Sequence, residues 1–275
     1  MNLQDNTSLM ELVELKSWLS LYEDIPPGVA APLGVRVERL GSAVAFVASQ
    51  LDAFIVNHVT GLGVAEPATE AQLDRIVEIY REAGVNNYGV KLAPFAQPAE
   101  LPEWLAARGL LPGDNHVKCY REIEPPPTVQ TDLQIVKIEP ERRADFGKVI
   151  LAAFHMPEFT RDWIESYVGL PGWQHYLALD GGQPVGAGAL FISDGVGYLG
   201  FGATLPSHRK RGAQGAIMAR RIQDAIALGC TGLITEAEED TPQRPNPSYH
   251  NMLRTGFKLA YLRRNYLSPA ILKGR

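Results

Sequence analysis

The sequence predicts an α/β (α+β) protein built as two domains, each with a mixed central sheet flanked by helices. Three observations carry that prediction. At 275 residues the chain has the length of two ordinary domains. Near its middle, the run Glu122-Ile123-Glu124-Pro125-Pro126-Pro127-Thr128 favours an extended, semi-rigid connector. On either side of it, strand-like runs interchange with helix-like ones, as a mixed architecture requires. The expected organisation is a first domain over 1–124, a linker over 125–131 and a second domain over 132–275.

Before the linker, strands are expected at Val35 to Arg39, Ala43 to Val47 and Ala53 to His58. A helix follows over Gln72 to Ala83, with Thr69 placed to cap its first amides. Then come a strand at Tyr88 to Leu92, a short helix at Leu101 to Ala107 and a closing strand at His116 to Glu122. After the linker, Leu133 to Ile138 alternates as a strand, and Ala144 to Phe154 and Phe159 to Val168 read as helices. Trp173 to Leu179 and Val185 to Ile192 are strands joined by Asp180-Gly181-Gly182-Gln183-Pro184, a strong hairpin signal. Val196 to Ala203 is a third strand after the turn Ser193-Asp194-Gly195. The helix Ala213 to Leu228 ends at Gly229, which suits a left-handed cap. A strand at Gly232 to Glu236, a helix at Ser248 to Arg254 and a strand at Phe257 to Tyr266 complete the chain.

Thr204 to Ala216 is the most informative stretch. It carries glycines and three consecutive basic residues, Arg209, Lys210 and Arg211, between a strand and a helix. A turn of that kind leaves backbone N–H groups unpaired at the positive end of a helix, a seat for a phosphate or pyrophosphate. Gly212 and Gly215 are expected to let the backbone approach such a ligand closely. Neither a P-loop nor a dinucleotide Gly-x-Gly-x-x-Gly fingerprint fits the spacing. Arg209-x-x-Gly212-x-Gln214 resembles the Arg/Gln-x-x-Gly-x-Gly/Ala loop of the GCN5-related N-acetyltransferases, the GNAT family. The order β-α-α-β-β-β-α-β-α-β after the linker is similar to that family's fold.

The resemblance implies that the amides of Arg209, Lys210, Arg211, Gly212, Ala213, Gln214, Gly215 and Ala216 hold the pyrophosphate of acetyl-CoA. It implies that Ala203, Thr204 and Leu205 pair with the pantetheine arm through their backbone, and that Asn251 lies on the helix flanking that arm. Gly256-Phe257 ends this helix as in the family, with Phe257 entering the core. The position at which the family often carries a tyrosine acid is Met252 here, which cannot donate a proton. Tyr249, one turn earlier, is the candidate acid, and a packed surface tyrosine is the other reading of it. Glu236, Glu238 and Glu239 are candidate bases from the following strand, or solvated carboxylates.

Arg108-Gly109-Leu110 echoes Arg254-Thr255-Gly256-Phe257 and suggests a second, degenerate acetyltransferase-like domain before the linker. Its loop Leu62 to Thr69 carries no basic residue; Glu66 repels a pyrophosphate and Pro67 lacks an amide donor. The whole chain thus resembles a tandem acetyltransferase with one working site. A net charge of −5 argues against a general nucleic-acid binder, and two cysteines are too few for a disulfide framework or a zinc site. The six histidines show no short ligand spacing, so no metal is expected, and His175 is read as packed or as facing an acceptor cleft. With no apolar run of membrane length, the chain is expected in the cytoplasm, without a membrane partner. The function expected is transfer of an acetyl group from acetyl-CoA to a primary amine of a small molecule or a protein. The rivals are a non-catalytic acyl-CoA-binding regulator, and an interaction module using Arg209, Lys210, Arg211, Arg220 and Arg221.

Overall fold

The computed structural model describes residues 6–273. In chain order its elements are α1 (Thr7–Glu23), α2 (Pro27–Leu33), β1 (Val35–Leu40), β2 (Ala43–Ala48), β3 (His58–Thr60), α3 (Glu70–Glu82), β4 (Gly89–Leu92), α4 (Leu101–Ala107) and β5 (Leu111–Arg121). There follow β6 (Gln134–Ile138), α5 (Arg143–Phe154), α6 (Arg161–Ser166), β7 (Trp173–Asp180), β8 (Gln183–Ser193), β9 (Val196–Thr204) and α7 (Ala213–Ala227). Last are β10 (Gly232–Glu238), α8 (Pro247–Arg254), β11 (Lys258–Leu267) and α9 (Pro269–Lys273).

The chain divides into two compact units, one over 118–260 and one over 7–117 together with the residues from Tyr261 onward. The division expected at 124 and 132 therefore differs from the observed one at both ends. β5 and β11 each begin in one unit and end in the other. No turn or composition shift marks a point inside a strand where its neighbours change, which is why the exchange is silent in the sequence. The proline run lies wholly in the 118–260 unit and is tied down there. Arg121 donates to the carbonyls of Glu122 (2.9 Å), Glu124 (2.7 Å) and Pro125 (3.0 Å), and Thr131 Oγ1 donates to the Arg211 carbonyl (2.7 Å).

In the 7–117 unit the strand order is β1-β2-β3-β4-β11, with β3 and β4 parallel and the other pairs antiparallel. Helix α3 buries Leu73, Ile76, Ile79 and Tyr80, a 3.6-residue stripe, in a core with Ala45, Val47, Val59 and Val90. Thr69 caps it as expected, in a reciprocal capping box with Gln72 that is worth roughly 1 kcal/mol. The strand expected over Ala53 to His58 forms only at His58–Thr60. Asn57 holds the preceding residues in a turn, accepting from the Ala48 amide (2.8 Å) and donating to the Leu51 carbonyl (2.6 Å). Helix α1 was not legible, because its buried face carries Glu11, Glu14, Ser17 and Ser20 among Met10, Val13 and Leu21. Those polar residues erase the apolar period by which a helix is read.

In the 118–260 unit the elements appear in the expected order, and the strand order is β10-β9-β8-β7-β6. β6 through β9 form an antiparallel meander, and β10 adds parallel to β9. Asp180 to Gln183 close the first hairpin through Gly181 and Gly182, both at positive φ, the conformation that matches strand twist. Alternate residues of β9 serve opposite faces. Phe201 meets Phe146 of α5 at 6.2 Å between ring centroids, and a side chain on Gly202 would meet Gln214 of α7. Gly256 ends α8 with φ 89° and Phe257 is buried, as expected.

Candidate active site

β9 and β10 pair only from Gly232↔Val196 to Thr235↔Leu199. Beyond that point β9 stays with β8, reaching Gly186↔Thr204, while β10 runs on to Glu238. Two parallel strands that part in mid-course leave a wedge whose edges are backbone amides and carbonyls. A bulge sharpens the departure: β8 advances two residues from Ala187 to Ala189 while β9 covers three, from Ala203 to Gly200. Phe201 takes up the additional residue with φ 53°.

The wedge opens toward the loop that leads into α7. Gly212 is the N-cap at φ 81°, and no side chain caps this helix. The first helical bond runs from the Ala216 amide to the Gly212 carbonyl (2.9 Å), so the amides of Ala213, Gln214 and Gly215 precede it. Ala213 and Ala216 are buried on the helix stripe. Arg209 and Lys210 are exposed and make no ion pair among the described residues. Ala203 is buried, and Thr204 presents a buried hydroxyl oxygen that has no hydrogen-bond partner. An uncapped helix start, two exposed cations and a buried hydroxyl without a partner among the described residues fit a phosphorylated, amide-bearing ligand.

Several expected contributions are corrected here. Arg211 pairs with Asp180 (2.6 Å) and with Asp132, so most of its charge is offset within the protein. A Cβ on Gly212 would stand 2.5 Å from the Gln130 carbonyl, and one on Gly215 would stand 3.2 Å from Val129. These two glycines make room for the chain after the proline run. The Leu205 amide is already bonded to the Val185 carbonyl (2.9 Å). Asn251 accepts from Arg254 (3.2 Å) on its own helix. Of the basic residues expected at a surface, Arg221 is buried and Arg220 pairs with Asp224 (3.0 Å).

Met252 is 3% exposed and lies in the core, with Thr255 beside it bonded to Met218 of α7. Tyr249 is half-buried on the same helix, and burial, with Cys119 and Asp240 nearby, raises its phenol above the usual range. A proton therefore stays on its oxygen at neutral pH. The residue missed from the sequence is Lys118, which pairs with the candidate base Glu236. Lys118 of β5 is fully buried, and its Nζ lies 3.5 Å from Glu236 Oε2 and 5.9 Å from the ring centroid of Tyr198. Glu236 is the first residue of β10 after the strands part. A lysine between Val117 and Cys119 in an apolar strand was the one available signal.

His175 does not face an open cleft. It is 1% exposed, packed against Phe146 (4.8 Å) and Trp173 (5.9 Å), and burial depresses its imidazole to about 3. The unfolded chain binds this proton near pH 6.5 while the folded one does not until about 3. Its stabilising contribution is thus complete above pH 6.5 and is lost toward pH 3, at about 1.4 kcal/mol per pH unit. Urea midpoints measured from pH 7.5 to 4.5 should fall more steeply for the wild type than for His175→Phe. Equal slopes would contradict the buried, neutral assignment.

Among the described residues no group of three or more His, Cys, Asp or Glu side chains could hold a metal ion, and no helix is long and apolar enough to cross a membrane. Residues 138–257 match the sequence model of the acetyltransferase (GNAT) family. A 65-residue stretch is 38% identical to the uncharacterized N-acetyltransferase YjcF of Bacillus subtilis (strain 168), covering 24% of this chain and 46% of that protein. The chain thus matches less than half the length of this curated relative. Among solved structures, a GCN5-related N-acetyltransferase from Kribbella flavida superposes with TM-score 0.63 at 18% identity, over 88% of this chain and 94% of that one. A tandem GNAT protein from the clavulanic acid biosynthesis pathway superposes with TM-score 0.59 at 14% identity, over 82% of this chain and 77% of that one. The fold is shared with these two structures over most of the chain, and residues 138–257 are similar in sequence to the acetyltransferase (GNAT) family.

Proposed function

We propose that the protein is a cytoplasmic acetyl-CoA-dependent N-acetyltransferase acting on a primary amine of a small molecule or a protein, with one working site in the 118–260 unit. The observation that carries the reading is the parting of β9 and β10 beside the uncapped start of α7. Bound there, acetyl-CoA supplies a thioester whose acetyl carbon forms a C–N bond to the amine as its C–S bond breaks. The first amides of α7, with Arg209 and Lys210, hold the pyrophosphate, and Thr204 offers its hydroxyl to the pantetheine arm. Glu236 takes the proton that the amine sheds, directly or through one water. Tyr249 returns a proton to the departing sulfur.

The 7–117 unit is read as substrate-shaping or structural. Its loop amides and carbonyls are consumed by its own chain: Gln97 donates to the Gly63 carbonyl (2.8 Å) and accepts from the Ala68 amide (2.8 Å). Glu66 accepts from the Ser42 amide (2.8 Å).

The burial of Met252 where the family often has its acid favours a second reading, a non-catalytic acyl-CoA binder. Thiol release from acetyl-CoA in the presence of a panel of primary amines separates the two. Acetyltransfer predicts amine-dependent release; binding without release for any amine supports the regulator; absence of binding contradicts both.

A further inference from the structure

Arg221 is the most unusual charge in the 118–260 unit. It lies on α7 in the i, i+4 line Ala213, Ile217, Arg221, Ala225, whose other members are apolar core residues. It is 1% exposed, and among the described residues no carboxylate pairs with it. Its Nη1 donates to the carbonyls of Ala189 (3.0 Å) and Gly200 (2.9 Å), and Nε has no partner. Burial lowers it to about 10, so it remains a cation at neutral pH. An unpaired buried cation is unfavourable to keep, and apolar residues of similar volume usually serve stability as well or better. Gly188 is glycine where a Cβ would stand 3.0 Å from the guanidinium carbon, so β8 also makes room for it.

The two carbonyls place this cation at the bulge. Gly200 and Ala189 are partners across β8 and β9, so a donor shared by both oxygens lies on the β8 side of β9. In a trans peptide the C=O and N–H point in opposite directions. The Phe201 N–H, in the same peptide as the Gly200 carbonyl, therefore points to the other edge of β9, where β10 has already departed. A cation on the carbonyl of a peptide also polarises its N–H into a stronger donor.

We infer that Arg221 is a positioning residue: by gripping the Ala189 and Gly200 carbonyls it aims the Phe201 amide into the wedge, where that amide polarises the thioester carbonyl. This role rests on the acyl-transfer reading above. The test uses Arg221→Met and Arg221→Lys in the full chain, with acetyl-CoA labelled at the carbonyl carbon. In the wild type the infrared band of the bound thioester carbonyl shifts to lower frequency than in free acetyl-CoA. In Arg221→Met the shift shrinks and turnover falls at least about tenfold, as when one donor to a developing oxyanion is weakened. Acetyl-CoA affinity stays within about threefold and the thermal midpoint does not fall. Arg221→Lys, whose ammonium reaches a single carbonyl, recovers part of both the shift and the turnover.

An unchanged carbonyl band in either variant would overturn the inference. So would losses of affinity and thermal stability that match the loss of turnover, because that pattern marks a merely structural arginine. If wild-type protein does not bind acetyl-CoA, the acyl-transfer reading fails first and this role fails with it.

Discussion

Glu236→Gln lowers turnover about a hundred- to ten-thousandfold, the usual contribution of a positioned proton acceptor, while acetyl-CoA affinity stays nearly unchanged. Glutamine keeps the shape of the side chain and removes only its ability to take a proton. The substitution has a second consequence, because Lys118 is fully buried and one of its interactions, the ion pair with Glu236, is lost. Breaking a buried pair from one side costs about 3–5 kcal/mol. The single variant should therefore be both slow and less stable. Adding Lys118→Met removes the buried ammonium itself, so the double variant regains most of the stability and none of the turnover. A double variant that recovers both would show that Glu236 acts through folding alone, and a single variant with wild-type turnover would remove it from the chemistry.

The second large effect lies in the other unit. Arg263 of β11 is fully buried and donates through Nη1 to Glu11 (3.1 Å) and Glu14 (2.6 Å), and through Nη2 to Glu14 (3.0 Å). Lys91 of β4 lies 3.4 Å from Glu14, and Tyr261 donates to Glu11 (2.6 Å). Two buried carboxylates facing two buried cations are close to neutral together. Arg263→Met removes one of the buried cations facing these two carboxylates, and should destabilise the 7–117 unit by about 3–5 kcal/mol. Urea unfolding followed by tryptophan fluorescence, to which Trp18 contributes from 4.7 Å beneath the Lys91 ammonium, measures the loss. A loss under about 1 kcal/mol would mean that water reaches the cluster and that its apparent burial is not maintained in solution.

What the sequence made legible follows from which interactions are local. The hairpin at Asp180, the caps at Thr69 and Gly256 and the helix α3 are each set by residues within a few positions of one another. They could be read from spacing alone. Helix α1 could not, because its inward face is polar and finds its partners on β4 and β11, some 77 and 250 positions away. The ligand opening is expected at the end of β9, and several residues around it are engaged within the protein. Gly212 and Gly215 answer to the chain after the proline run, and Arg211 answers to Asp132 and Asp180. The pair Lys118–Glu236 joins strands that are distant in sequence, and Arg221 looks like its half-buried neighbour Arg220 until the β8–β9 bulge is seen.

The central claim is that one pyrophosphate seat lies at the start of α7, in the 118–260 unit. Arg209 and Lys210 are exposed and bear no ion pair among the described residues, so Arg209→Glu with Lys210→Glu reverses the charge there without disturbing packing. Titration calorimetry with CoA on the wild type should give one site per chain. In the double variant, affinity should fall at least about tenfold at low salt, equivalent to about 1.4 kcal/mol, and the difference should shrink as salt rises. Two sites per chain, or an affinity unchanged by the reversal in a folded variant, would contradict the account.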